Sequence, residues 1–126
     1  MTQVKGIGGV FFRSADSKAQ NEWYQKHLGV PVTEYGCAVF PRREHGNPEK
    51  EQSTVWSAFP PDTDYFEDER QQFMINFIVD SLDQALGDLR QHGVKVIEKI
   101  DESEFGRFGW CVDPEGNRVE LWEPPK

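Results

Sequence analysis

Charged side chains abound in this chain, but residues whose type and setting suit proton transfer in a site are few. Glu120 stands in Arg118-Val119-Glu120-Leu121-Trp122, where Val119 and Leu121 occupy one strand face and Arg118, Glu120 and Trp122 the other. A carboxylate on an inward strand face needs a partner, so Glu120 is either the base of a site or half of an ion pair with Arg118 or Arg13. His45 ends Arg42-Arg43-Glu44-His45, in which an acid, a base and two cations fall within a short run. If the protein is an enzyme without a metal, His45 and Glu120 are the acid–base pair; the other reading of His45 is a solvated loop residue. His27 and His92 fall at the ends of helical stretches, where an imidazolium complements the helix dipole, and capping accounts for both. Cys37 and Cys111 lie in strand-like GCAVF and FGWCVD and read as reduced, buried thiols without redox or metal chemistry.

These side chains need elements to position them. Leu82, Ala85, Leu86 and Leu89 share one face of a helix that stops at Gly93. Residues 17–28, with Ala19, Trp23 and Leu28 as the apolar side, form a second helix ending at Gly29. The two endings match, HLGVPV against QHGVKV, at an offset of 64 residues that also carries VWSAFPP (55–61) onto VELWEPP (119–125). The chain therefore reads as an internal duplication, each half β-α-β-β-β. The first strands are KGIGGVFFR and QFMINFIVD. The later strands are PVTEYG, CAVFPRR and STVWSAF in the first half, and KVIEKI, RFGWCVD and RVELWE in the second. Module 1 covers about 5–59, a linker about 60–71 and module 2 about 72–123 of a single domain. The polar stretch 42–52 is expected as a mobile loop. The segment 59–72, with Phe59, Tyr65 and Phe66, is expected to pack over something, since loose aromatics would otherwise face water. Gly6-Ile7-Gly8-Gly9 lacks the spacing of a dinucleotide-binding turn and suits a bulge or a close backbone approach.

Bulk composition narrows the partners. A chain of 126 residues with 22 acidic and 14 basic side chains carries a formal charge of −8, which disfavours nucleic acid and anionic membranes. No apolar run reaches the roughly 20 residues of a membrane span, and the N-terminus lacks a signal-peptide pattern; the expected location is cytoplasmic.

The first strand followed by Asp16, the helix with Trp23-Tyr24 and Leu28-Gly29, the second helix with Gly93-Val94, and above all Asp113-Pro114-Glu115-Gly116-Asn117-Arg118-Val119-Glu120-Leu121 together resemble the vicinal oxygen chelate superfamily. This is the glyoxalase, bleomycin-resistance and extradiol dioxygenase group, and the likeness spans nearly the whole chain. The resemblance implies an α+β fold in which two fused βαβββ modules form a curved mixed sheet around a cleft, and a homodimer. It also implies a divalent metal held by four side chains, from the first and last strands of both modules, acting as a Lewis acid on two neighbouring substrate oxygens. Here those four positions are Gly9, Trp56, Glu120 and either Phe73 or Met74; alternation that keeps Asn76 off the leucine-lined helix face favours Met74. Only Glu120 keeps ligand chemistry, so neither a metal nor another cofactor is expected.

What the resemblance leaves is an aromatic pocket with one carboxylate. Phe11 and Arg13 lie on the strand face of Gly9, and Trp56, Met74, Tyr65 and Trp122 complete the expected ligand contacts. The competing reading is that the strand aromatics simply fill the core. Three functions stay open: a metal-independent binder of a small aromatic or cationic molecule, in the manner of bleomycin-resistance proteins; a lyase, isomerase or dioxygenase with an altered metal set such as His45, Glu44 and Glu120; and a metal-free enzyme using Glu120 as base.

Overall fold

The computed structural model describes residues 2–126 as seven strands and two helices. They are β1 (Gly6–Arg13), α1 (Ser17–Leu28), β2 (Cys37–Glu44), β3 (Asn47–Phe59), β4 (Phe73–Ile78), α2 (Leu82–Gln91), β5 (Asp101–Ser103), β6 (Gly106–Val112) and β7 (Arg118–Glu123). The α+β fold class read from the sequence holds. The chain divides into two units, residues 9–74 and the segment up to Gly8 together with 75–126. Among the described residues no helix is long and apolar enough to cross a membrane.

Residues 9–74 build a three-strand order β2-β3-β1. β1 runs parallel to β3, with Val10 opposite Trp56 and Phe11 opposite Ser57, while β2 and β3 pair antiparallel. α1 starts where the Asp16 carboxylate accepts from Ala19 N at 3.1 Å and ends at Gly29, whose φ of +68° suits glycine. None of its residues is buried: Trp23 is 50% and Leu28 62% exposed, so the expected apolar side of this helix is largely at the surface.

The second unit orders its strands β4-β7-β6-β5, with β4 parallel to β7 and the rest antiparallel. In both units, then, the last strand lies beside and parallel to the first, as a duplicated module requires. α2 is the packed helix. Leu82, Ala85 and Leu86 join Val79 and Leu121 in a buried cluster flanked by Phe77, Leu89 and Val96. Burying each of the two leucines stabilises the fold by about 1.5–3 kcal/mol. The N-terminus of α2 is held twice: Ser81 Oγ accepts from Gln84 N at 3.2 Å, and Glu123 Oε1 from Leu82 N at 2.8 Å.

Three local expectations change. Residues 42–52 are not a loose loop but the end of a long hairpin, turning at His45-Gly46 where Gly46 has φ +86°. The stretch PVTEYG is not a strand; it contains a turn in which Gly36 N donates to Thr33 O at 3.0 Å. KVIEKI makes only an isolated bridge, Val96 to Cys111, and the short β5 follows it.

Candidate functional site

The strand face of the second unit turned away from α2 gathers Asn76 and Ile78 of β4, Glu120 and Trp122 of β7, and Phe108 and Trp110 of β6, because these residues stand opposite one another across the two pairings. Glu120 is 1% exposed. Its Oε1 accepts from Asn76 Nδ2 at 2.6 Å and its Oε2 from the indole Nε1 of Trp110 at 2.9 Å. Both donors are buried as deeply, so the contacts form in a low dielectric that strengthens them. The Trp110 ring is a seat for cations: the Arg118 guanidinium lies 4.8 Å and the Lys99 ammonium 5.8 Å from its centroid. Trp122 stacks on Phe108 with centroids 5.8 Å apart and planes 4° from parallel, and its Nε1 donates to Phe105 O at 2.7 Å.

Gly8 is needed in this arrangement. A Cβ there would collide with Asn76 Oδ1, Trp122 and Ile78, so the close approach foreseen for the glycine-rich strand is real.

In residues 9–74, Phe11, Arg13 and Tyr65 come together. Phe11 meets Phe59 at 5.5 Å and Tyr65 at 6.4 Å, Tyr65 stacks on Phe59 at 5.4 Å, and Phe66 is fully buried beside them. The linker thus packs as expected. Arg13 is its anchor, donating to the backbone oxygens of Pro61, Thr63, Asp68 and Gln71. Such a guanidinium is already occupied by main-chain oxygens.

Trp56 lies elsewhere. Pairing with Val10 puts it on the opposite face of β1–β3 from Phe11, where it packs against Phe12 at 5.2 Å and Tyr24 of α1 at 4.9 Å. The residues of β3 that share a face with Gly9, Phe11 and Arg13 are Val55, Ser57 and Phe59. The fixed 64-residue offset therefore misassigned the inward side of β3 by one residue. Gly9 is buried in β1 and Met74 is completely buried in β4.

His45 occupies the exposed hairpin turn. Its neighbour Glu44 is buried and accepts from Gln52 Nε2 at 2.9 Å, with Lys50 Nζ at 3.8 Å. A further concavity, about 660 Å³, opens along the first half of α1 between Arg13, Asp16, Gln20, Trp23 and Tyr24. Among the described residues no group of three or more His, Cys, Asp or Glu side chains converges as a metal site would require.

Sequence reasoning missed Trp110 as the partner of Glu120. The signal was available: pairing RFGWCVD antiparallel with RVELWE sets the tryptophan opposite the glutamate. The four-carbonyl role of Arg13 had no signal, since backbone oxygens are the same at every residue.

Solved structures of the same fold include methylmalonyl-CoA epimerase from Mycobacterium tuberculosis, 20% identical, with a TM-score of 0.61 over 98% of this chain and 90% of that one. A variant of Streptomyces coelicolor methylmalonyl-CoA epimerase, in complex with 2-nitronate-propionyl-CoA, is 17% identical with a TM-score of 0.67 over 94% and 96%. A structure described as NAD-dependent benzaldehyde dehydrogenase from Legionella pneumophila is 17% identical with a TM-score of 0.59 over 90% and 96%. At such identities the likeness concerns the fold. No curated protein sequence matches. The family model of the glyoxalase-like domain matches residues 9–122, and the chain belongs to that family, within the vicinal oxygen chelate superfamily.

Proposed function

We propose that this protein binds a small aromatic or cationic molecule and does so without the divalent metal typical of its superfamily. The observation that carries the reading is the condition of Glu120. Of the ligand positions Gly9, Trp56, Met74 and Glu120, only the last has donor atoms suited to a hard or borderline metal, and its two oxygens accept from the neutral N–H groups of Asn76 and Trp110. A divalent ion needs several converging donors, so this set does not fit one. Aromatic side chains beside cations and carboxylates support the ligand class. The concavity along α1, with Trp23, Tyr24 and Asp16 in its wall, falls in the size range of small-molecule sites.

The test is thermal shift and titration calorimetry against a panel of aromatic amines and acids. No stabilisation by any member counts against binding, and a stoichiometric divalent metal in the purified protein, lost in Glu120→Ala, overturns the metal-free part.

A second reading draws on the same buried carboxylate and on the fold shared with an epimerase: metal-free proton transfer by Glu120. Turnover of a panel substrate that disappears in Glu120→Gln, while the fold persists, would favour it. For assembly we propose a homodimer, supported by apolar side chains left at the surface of residues 9–74, among them Trp23, Leu28, Tyr35 and Phe40. Light scattering giving a monomer would remove that part.

A further inference from the structure

We infer that residues 60–72 form a cover that opens as one unit above a floor of Phe11 and Phe59, with the Tyr65 ring standing where an aromatic guest would lie.

One side chain, beside the buried Phe66 and Gln71, reaches the segment along its whole length. Arg13 Nε donates to Gln71 O at 2.8 Å, Nη1 to Pro61 O at 3.0 Å and to Thr63 O at 2.8 Å, and Nη2 to Asp68 O at 3.1 Å. Its guanidinium carbon also lies 5.2 Å from the Phe66 ring centroid. These acceptors run from the beginning of the segment to its end, so losing the guanidinium's grip at one point leaves the other contacts poorly placed. By contrast, apart from Gln72 O at the C-terminal hinge, which accepts from Arg13 N at 2.8 Å, the segment's backbone bonds are short-range. Thr63 N donates to Pro60 O, Glu67 N to Asp64 O, Asp68 N to Phe66 O and Gln71 N to Asp68 O. Local turns of this kind can swing away intact, with hinges at the two ends.

Two properties favour the open form. Glu67 is the one non-glycine residue among those described with positive φ, at +66°, a conformation that persists where the surroundings enforce it and relaxes when they let go. The segment also carries Asp62, Asp64, Glu67, Asp68, Glu69 and Arg70, which hydrate readily. What opening exposes is aromatic. Tyr65 lies on Phe59 at 5.4 Å with planes 21° apart and edge-on to Phe11 at 6.4 Å, so its departure frees a ring-sized apolar surface. The small-molecule reading enters only in naming the guest; the opening itself stands on the contacts.

Native-state hydrogen exchange of the wild-type chain tests the opening. The amides of Thr63, Glu67, Asp68 and Gln71 should exchange through a shared opening, with lower protection than the paired amides of β3. Exchange of all four only by global unfolding overturns the cover. Arg13→Lys, which keeps the charge but loses the fork of donors, should lower their protection together by about tenfold or more while β6 and β7 keep theirs. Unchanged protection overturns the role of Arg13. For the guest, 8-anilinonaphthalene-1-sulfonate should bind Tyr65→Ala about tenfold more tightly than wild type, as removal of an internal competitor requires; equal affinity overturns the placement of Tyr65. An unresponsive ligand panel together with these exchange and dye results sinks the proposed function and leaves the cover, whereas panel hits with purely global exchange do the reverse.

Discussion

The indole N–H of Trp110 donates to Oε2 of Glu120 at 2.9 Å, across the β6–β7 pairing in which the two residues stand opposite each other. Removing that donor while keeping an aromatic ring leaves a buried carboxylate oxygen short of a partner. Trp110→Phe should therefore lower stability by about 1–3 kcal/mol, read from the urea midpoint at constant m-value. Asn76 shares the same carboxylate, so a double-mutant cycle between Asn76 and Trp110 should show coupling of about 0.5–3 kcal/mol. Additive effects would mean that the two donors are not coupled through Glu120.

Two glycines should respond oppositely to alanine. Gly8→Ala pushes a methyl group into Asn76, Trp122 and Ile78, and thermal melts should show destabilisation of about 1–3 kcal/mol. Gly87 is exposed within α2 with open space where a Cβ would go, so Gly87→Ala should stabilise by about 0.5–1 kcal/mol. The pair serves as its own control, since a tolerated Gly8→Ala would disprove the tight strand approach.

Acid should weaken the turn before β7. The Asn117 backbone N–H donates to Asp113, and with the Asn117 side chain and the amides of Glu115 and Gly116 it holds the Asp113 carboxyl below its ordinary value of 3.8, against a smaller opposing effect of burial. A group whose folded pKa is depressed stabilises the fold above its unfolded pKa and loses that contribution as pH falls through the folded value. The stability gap between wild type and Asp113→Ala should be full at neutral pH and shrink as pH drops below about 4. Urea midpoints measured from pH 7 to 3 check this, and a constant gap would refute it.

The thiols should differ in reactivity. Burial first, and the nearby Asp113 second, raise the pKa of Cys111, so its thiol stays protonated and covered. Cys37 is only half-buried. A disulfide reagent at pH 8, followed by peptide mass mapping, should label Cys37 in the native protein and Cys111 only on unfolding. Equal labelling would contradict the burial of β6.

Legibility in the sequence tracked how strongly one physical requirement dominated each segment. α2 was readable because Leu82, Ala85 and Leu86 must share a buried face. The alternation of β7 was readable because Leu121 joins that cluster while Glu120 cannot. β3 was harder. Trp56 was assigned its side by a repeat offset rather than by local alternation, and aromatic residues occupy both faces of β1–β3, so hydrophobicity could not discriminate between them. The hairpin at 42–52 escaped notice because residues 47–51 are exposed, removing the apolar alternation that marks a strand with one buried side. Arg13 and Glu120 were both recognised as inward charges, yet their partners include main-chain oxygens for Arg13 and an amide and an indole for Glu120, none of which a search for charge partners would find.

The start of β1 has a consequence for how the chain could be divided. Lys5 N donates to Ile78 O at 2.8 Å, and Gly8 lies against Asn76 and Trp122, so the first residues of the chain complete the unit formed by its last half. A gene split between Phe59 and Phe73 would produce a C-terminal polypeptide missing an edge that only the N-terminal polypeptide encodes. The C-terminal product would lack contacts that the N-terminal product carries, which makes this segment a natural breakpoint for a two-fragment reporter.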